Sequence, residues 1–582
     1  MFNFERSLRR LIQEVEARKR QEPQQARLRL EVLEDRAVPA TFYVSLSGDD
    51  SNDGLTAGQA FKSIQVAINA AAAADDGDDQ INVAGGTYSA GQLSIPNSAN
   101  VTNLKLLGGW DATFATRNPA VTPTDYTFNV APIPASPYDL QVLDNNVVID
   151  GFTWRSSDGT TPRNADTILV NGAQNVTISN NIIFAGIRNG GSRPAAIVTG
   201  GTDTSGLLIE DNTINVDFTG LVSTTSGSIG IFLNPSSQTG TITIQDNTIN
   251  GNNLQTGVVV SGVNNVTIQN NTINRNTPLF GSGIEVRNSS GTVNNTQILS
   301  NTILDTSLSL SNTSAGIQIG ASGGLNANVT NTAIRGNLIS MSGTLSAAVF
   351  AGLGAQSSST LIERNSLTAV LAGGSVLSSV VGLDVSGNWF GSAVASTVNA
   401  AISATGLGNT IVAGSFLSSG TDADGSAPGF QLPTSTEMLV PQRSAISLLA
   451  NVDGRIQSGV NRAVTGMIVR VAADTFVEDV TINTSGLSLL GSGVASTTIS
   501  GAIGGGSATV QIGASNVTVA GFTITRQGNN TTDWNNPGLN TAGIAIQGLA
   551  NTNALIRDNL ITGNRTGVDI NNSGSHTIRN NV

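Results

Sequence analysis

Between residues 175 and 390 the apolar and polar positions repeat one short phrase: an apolar-x-apolar pair, two residues, then Asn and another apolar pair. NVTISNNII, LLIEDNTI, ITIQDNTI, VTIQNNTI, TQILSNTI, TAIRGNLI, LIERNSL and LDVSGNWF carry it eight times. Such alternation predicts half-buried β-strands. The asparagines are Asn181, Asn212, Asn247, Asn271, Asn301, Asn337, Asn365 and Asn388, with gaps from 23 residues (Asn365 to Asn388) to 36 (Asn301 to Asn337). That variation suits stacked coils carrying loop insertions. A second phrase, Gly-apolar-x-apolar, precedes most of these rungs as GIFLN, GVVVSG, GIEVRN and GIQIG, so each coil is expected to hold three short strands. Alternate side chains of a strand face one side, which sends Ile284 and Val286 into the core and Glu285 and Arg287 outward. The asparagines read as structural: at a turn Asn tolerates a left-handed backbone and can bond the next Asn, one coil or about 4.8 Å away.

The pattern also divides the chain. Residues 1–40 form a leader in which Phe4, Leu8, Leu11, Ile12 and Val15 fall at helical spacing among charged residues, and a solvated helix is the favoured reading. From Thr41 a strand and an Asp/Asn/Gly loop lead into FKSIQVAINAAAAA, a helix whose Ile64, Ala67, Ile68 and Ala71 share a face suited to covering the first coil. The first stack is placed at 41–417, a Ser/Gly/Pro-rich linker at 418–437 and a second stack at 438–582. The second stack repeats the opening of the first: IQVAIN (64–69) returns as IQSGVN (456–461), INVAGGTY as IVRVAADTF, and NVVIDGFTW (146–154) as NVTVAGFTI (516–524). It has its own rungs at Asn559 and Asn581, with GIAIQG and GVDINN as third strands. Because the sequence stops inside the last rung, the second stack reads as cut short.

Composition narrows the function classes. Only 12% of the 582 residues are charged, and the formal net charge of -12 opposes nucleic acid as a partner, which needs clustered Lys and Arg. There is no Cys, hence no disulfide and no thiolate chemistry. No apolar run is long enough for a membrane span, and the N-terminus lacks the apolar core of an ordinary secretory signal.

Two resemblances add to this reading. The stretch LEVLEDRAVPA, Leu30 to Ala40, resembles a segment near the N-termini of surface or exported proteins of planctomycete bacteria, which implies an extracellular or cell-surface location. The opening YVSLSGDDSNDG with FKSIQVAIN, the Asn ladder and the NWFG ending resemble right-handed parallel β-helix proteins of the pectate-lyase-like superfamily. That resemblance implies that the two tandem stacks read from the internal repetition are all-β solenoids, and it implies a polysaccharide ligand, held along a groove on the face of the Gly-apolar-x-apolar strands. It does not imply a particular activity.

Candidate chemistry on that face is sparse. Its expected outward positions are Val198, Phe232, Asn234, Val259, Ser261, Glu285, Arg287 and Gln318, with two charges among them. A calcium-assisted lyase would need several carboxylates and a cationic base. The best constellation for β-elimination on a uronate polymer is Arg188 and Arg193 in IRNGGSRP, Asp217, Glu285 and Arg287, with Arg275 a further cation of the middle coils. A histidine-based hydrolase or triad fails, since the single histidine is His576. Calcium is the one optional cofactor, with Asp49, Asp50 and Asp53 in GDDSNDG as weak ligands beside DDGDD (75–79) and TDADG, all of which turn chemistry also explains. Trp110, Trp154, Trp389, Trp534, Tyr126 and Tyr138 are the aromatics considered for stacking on sugars. Two readings result: an exported or cell-surface protein that binds polysaccharide or cell-surface material without catalysis, and a polysaccharide lyase.

Overall fold

A computed structural model describes residues 7–13, 40–74, 78–98, 103–128, 138–156, 165–186, 193–216, 227–276, 281–287, 292–306, 314–320, 328–343, 346–352, 354–370, 374–404, 411–443, 455–502, 508–527 and 542–582. The chain divides into two compact units, Met1–Val38 and Pro39–Val582. In the first, residues 7–13 are helical and exposed, with Leu8, Leu11 and Ile12 turned to solvent. Phe4, Val15 and residues 30–39 of the export-type segment lie outside the described residues.

The second unit is the expected all-β right-handed parallel β-helix. Each coil of the first stack supplies one strand to each of three parallel sheets. Sheet I runs from Thr41–Val44 to Thr360–Glu363, sheet II from Gly86–Ala90 to Ser366–Ala369, and sheet III from Leu93–Ile95 to Ile402–Ala404. Their registers place like residues over like. In sheet I, Ile178, Ile209, Ile244, Ile268, Ile298, Ile334 and Ile362 stack inward, and in sheet II Ile183, Ile214, Ile249, Ile273, Ile303 and Ile339 do the same. All are fully buried. β-Branched side chains are stiff and suit a pleated surface, and each buried Ile contributes about 1.5–3 kcal/mol.

The ladder lies where sheet I turns into sheet II. Asn247 is typical: its backbone N–H and its Nδ2 both donate to Asn271 Oδ1 at 3.0 Å, and Nδ2 also donates to the carbonyls of Ile209 and Gln245. The same set links Asn181, Asn212, Asn271, Asn301, Asn337, Asn365 and Asn388, all buried. Asn559 and Asn581 repeat it in the second stack. One expectation needs correcting. The left-handed residue is not the ladder Asn but the one before it: Asn180, Asp211, Asp246, Asn270, Ser300, Gly336, Arg364 and Gly387, with φ between 52° and 78°. The preceding residue turns the chain, which leaves the ladder amide free to point inward and bond along the stack. A second, exposed Asn row starts sheet I, with Asn175 Nδ2 on Asn146 Oδ1 and Asn295 Nδ2 on Asn265 Oδ1.

The Gly of the sheet III phrase has a packing reason. A Cβ on Gly257 would stand 2.6 Å from Gly283 O and 2.8 Å from Ile273 Cγ2, so the sheet II isoleucine crosses the coil into the space that glycine leaves.

The helix Ile64–Ala73 covers the first coil with the expected face, Ile64, Ala67, Ile68 and Ala71, all buried. Its counterpart Arg455–Arg462 buries Ile456, Gly459 and Val460 at the start of the second stack. There the sheet I equivalent runs Met438–Val440, Ile468–Val471, Ser488–Leu490, Thr518–Ala520, Leu555–Arg557 and Thr577–Arg579. The stacks meet through backbone bonds: Leu417 N donates to Asn388 O, and Phe416–Leu417 pairs antiparallel with Met438–Val440. Arg462 adds ion pairs to Asp384 at 2.7 Å and Glu363 at 4.0 Å. Residues 418–437 fold back over the first stack, with Phe430 buried, its N–H on Gly336 O, and the Gly429 N–H on Thr302 Oγ1 at 2.8 Å.

Several aromatics considered for sugar stacking are core residues. Trp154 and Tyr126 are fully buried, 5.4 Å apart between ring centroids, and Phe152 packs on Trp154. Trp389 packs against the core of the second stack. Trp110 and Tyr138 are half-buried, and Trp534 lies outside the described residues.

Candidate functional site

The outer surface of sheet III is the mixed, sparsely charged face that was expected, with its apolar positions drawn together. Val259 is buried, and with Ala195, Ile229, Val198 and Phe232 it forms a small apolar cluster. Further up the same outward row, Glu285 pairs with Arg287 at 3.1 Å and Gln318 follows, and then Phe350 and Leu377. Long aliphatic and aromatic side chains standing side by side on adjacent strands exclude water from one another, and that is why Val259 is buried although it points outward.

Of the described residues proposed for elimination, Glu285 and Arg287 stand together as an ion pair and Arg193 stands apart from them. Arg188 and Asp217 lie outside the described residues. Arg193 is exposed just before the strand Ala195–Gly200, three strands below Ser282–Arg287, an offset of about 14 Å along the stack. Arg275 faces the interior: its side chain and that of Asp305 are both fully buried, 2.7 Å apart, and Arg275 also donates to the carbonyls of Gly281 and Leu254. Burial lowers the Arg275 pKa and the Asp305 charge opposes that shift, yet a group enclosed in this way reaches no ligand. The Asp-rich opening serves its turn. Asp49 accepts from Ser51, Asp50 from the backbone of Lys62 and Ser63 and from Ser63 Oγ, and Asp53 from Leu55 N. Asp75 and Asp76 lie outside the described residues. Among the described residues no group of three His, Cys, Asp or Glu side chains is arranged to hold a metal.

A concave site stands instead at the corner between sheets I and II. It is a cleft of about 480 Å³ whose floor is Asp150 to Thr153, Asn180 to Ile182, Asp211 and Thr213, and whose wall is Arg117 to Ala120. The wall belongs to the loop 111–122. Asp111 organises that loop by accepting from the backbone and hydroxyl of Thr113 and Thr116, which hold its carboxyl well below the usual carboxylate range. Arg117 fastens the loop to the stack, donating from Nε to Gly108 O at 2.8 Å and from Nη2 to the Asp150 carbonyl and carboxylate. Gly151 lets the guanidinium approach: its φ is 79°, and a Cβ there would stand 2.4 Å from Arg117 Nη2.

The two carboxylates lining the cleft differ in environment. Burial pushes the Asp150 carboxyl up, but hydrogen bonds from Asn180, Ser179 and Arg117 with the Arg117 charge outweigh it and hold the group below its ordinary value. The Asp211 carboxyl is pushed up by burial, and the charges of Asp246, Glu210 and Asp150 act in the same direction. Behind them an amide relay runs along sheet I, with Gln245 Nε2 on Glu210 Oε2 at 2.8 Å and Gln269 Nε2 on Gln245 Oε1 at 2.9 Å. On the sheet II side, Thr213, Thr248 and Thr272 stand one above another, with Asn215, Asn250 and Asn274 beside them. The turn row Asn180, Asp211, Asp246 and Asn270 continues upward to Ser300, where Gly429 and Phe430 close the corner. Arg117, Asp150 and Asp211 escaped the sequence reading. The available signal was the residue before each ladder Asn, since only Asp211 and Asp246 are acidic there within the first stack.

Arginines along the same corner are committed to partners. Arg155 pairs with Asp125 at 3.3 Å and lies 4.4 Å over the Phe184 ring, while Arg335 and Arg364 share Glu363 at 3.0 and 2.7 Å.

A family model described as a right handed beta helix region matches residues 97–303. The fold is similar to that of solved polysaccharide-related proteins. A PL6 family alginate lyase, AlyGC, is 10% identical over 92% of this chain and 79% of its own, with a TM-score of 0.24. Pectate lyase Pel9A is 14% identical over 56% of this chain and 78% of its own, with a TM-score of 0.29. The tailspike protein of E. coli bacteriophage HK620, in complex with a hexasaccharide, is 11% identical over 78% of this chain and 71% of its own, with a TM-score of 0.35. Similarity at this level is one of strand stacking and extends to no individual residue. The curated proteins contain no match.

Proposed function

We propose that this right-handed parallel β-helix binds polysaccharide along the corner between sheets I and II, and that it does so outside the cell or at its surface without chemical turnover. The observation that carries the reading is the row of uncharged hydrogen-bonding side chains, Thr213, Thr248 and Thr272 beside Asn215, Asn250 and Asn274, which leads out of a walled cleft. Hydroxyl and amide groups repeated at the coil spacing of about 4.8 Å both donate and accept, which is what a chain of sugar hydroxyls requires. Pre-formed strands hold these groups in place, so binding costs little ordering entropy. Export rests on the resemblance of Leu30 to Ala40 and on nothing in the site itself.

Elimination on a uronate polymer is the weaker reading. It needs a cation able to act as a base and a counter-charge for the sugar carboxylate. Arg117, Arg155, Arg275, Arg287, Arg335 and Arg364 are all bound to carboxylates. The deciding experiment combines a pull-down on insoluble polysaccharides with ultraviolet detection of unsaturated products from pectate, alginate and chondroitin, with and without calcium. Retention without product supports binding. Product in any arm overturns the non-catalytic reading, and the absence of both retention and product overturns the polysaccharide assignment.

A further inference from the structure

The corner cleft has a definite electrostatic character, and the inference drawn from it rests on the binding reading above. Its only cation among the described lining residues, Arg117, is spent on Asp150 and on two backbone carbonyls. Asp211 lines the same cleft from an exposed turn, with Glu210 beside it and Asp246 one coil further along the row. Gln245 donates to Glu210, a neutral amide that orients the carboxylate without cancelling its charge. A ligand carboxylate entering here would lose water while facing negative charge, whereas a hydroxyl can donate to Asp211 and an ammonium group can pair with it.

We infer that Asp211 is a specificity-determining residue of this cleft, and that the cleft accepts glycans presenting hydroxyl or ammonium groups and rejects those presenting carboxylates. Burial, followed by the charges of Asp246, Glu210 and Asp150, raises the affinity of Asp211 for a proton, and a cation bound beside it relieves the charge repulsion in that set. The order of affinity is therefore amino-sugar polymer first, neutral glucan second and uronate polymer last.

The test is titration of the full chain, at low ionic strength, with oligosaccharides of chitosan, of a neutral glucan and of pectate, followed by the same series on Asp211→Asn. The substitution suits the fold: Asn180 and Asn270 occupy the same turn position with φ of 54° and 55°, against 54° for Asp211. Asp569→Asn, an exposed carboxylate of the second stack, makes the same change in net charge away from the cleft. Asp211→Asn should cut the preference for chitosan over pectate roughly five- to tenfold, less in added salt, and Asp569→Asn should leave it unchanged. Equal or tighter binding of pectate by the native protein overturns the specificity while leaving polysaccharide binding intact. A preference unmoved by Asp211→Asn, or moved equally by Asp569→Asn, removes Asp211 from that role. Binding to none of the three sinks the polysaccharide reading and this inference together.

Discussion

Replacing Asn271 by Ala removes one rung from the middle of the buried ladder. Its Oδ1 accepts from Asn247 N and Asn247 Nδ2, both at 3.0 Å, and its Nδ2 donates to Asn301 Oδ1, Ile244 O and Gln269 O. Some partners retain a bond: Gln269 O still receives Asp246 N, and Asn301 Oδ1 still receives Asn271 N. The Asn247 N–H loses its acceptor inside the stack, and the Asn247 amide loses one of its three. One fully orphaned donor costs about 1–3 kcal/mol and the weakened bonds add to it, so a loss of about 3–4 kcal/mol is expected. Asn274→Ala is the control. Its Nδ2 bond to Asn250 Oδ1 lies on the outer face of sheet II, where water replaces it, and the cost should stay below about 1 kcal/mol. Urea unfolding followed by circular dichroism compares the two, and hydrogen exchange read over residues 244–274 shows whether opening is centred on the missing rung. Equal midpoints for Asn271→Ala and Asn274→Ala would refute the view that the ladder holds the coils together.

Other substitutions probe separate parts of the stack. Asp305→Ala leaves the Arg275 guanidinium buried without its carboxylate and should cost about 3–5 kcal/mol, while pairing Arg275→Met with Asp305→Leu should restore most of it in the same unfolding assay. Gly257→Val should cost at least about 1–3 kcal/mol through the clash with Gly283 O and Ile273 Cγ2, visible as a lower thermal midpoint, and an unchanged midpoint would contradict the glycine's packing role. Burial raises the Asp166 pKa from 3.8 to about 6, against the bond it accepts from Ala195 N. The unfolded chain then ionises first, so stability falls as pH rises from about 4 to 6. Asp166→Asn, which keeps an acceptor, should remove at most about 3 kcal/mol of that fall, and an identical pH profile for the variant would exclude Asp166 as its source.

Legibility differed by feature. The inward isoleucines and the asparagine rungs were plain because alternation puts them on the buried side of short strands, and the register of all three sheets stacks them as expected. The face of Ile64, Ala67, Ile68 and Ala71 was equally plain from helical spacing. The corner cleft was not. Arg117 meets Asp150 from 33 residues away, and nothing local in either segment announces the other. Arg275 misled for a related reason: a charged residue in a polar turn phrase reads as exposed, whereas its partner Asp305 lies 30 residues on, in the next coil, and together they face inward.

Periodic local information, the three-strand coil, its apolar interior and its amide ladder, is repeated in every rung and so is readable from the residues alone. What depends on where loops fall across coils was decided only by the tertiary structure. The loop 111–122 leans on one end of the corner and Gly429 and Phe430 close the other, 127 residues from Thr302 in the chain in the case of Gly429. The physical reason is that a strand's pattern reports only which side of its own sheet is buried, while a cleft needs groups from distant coils brought within hydrogen-bonding distance by the stacking itself.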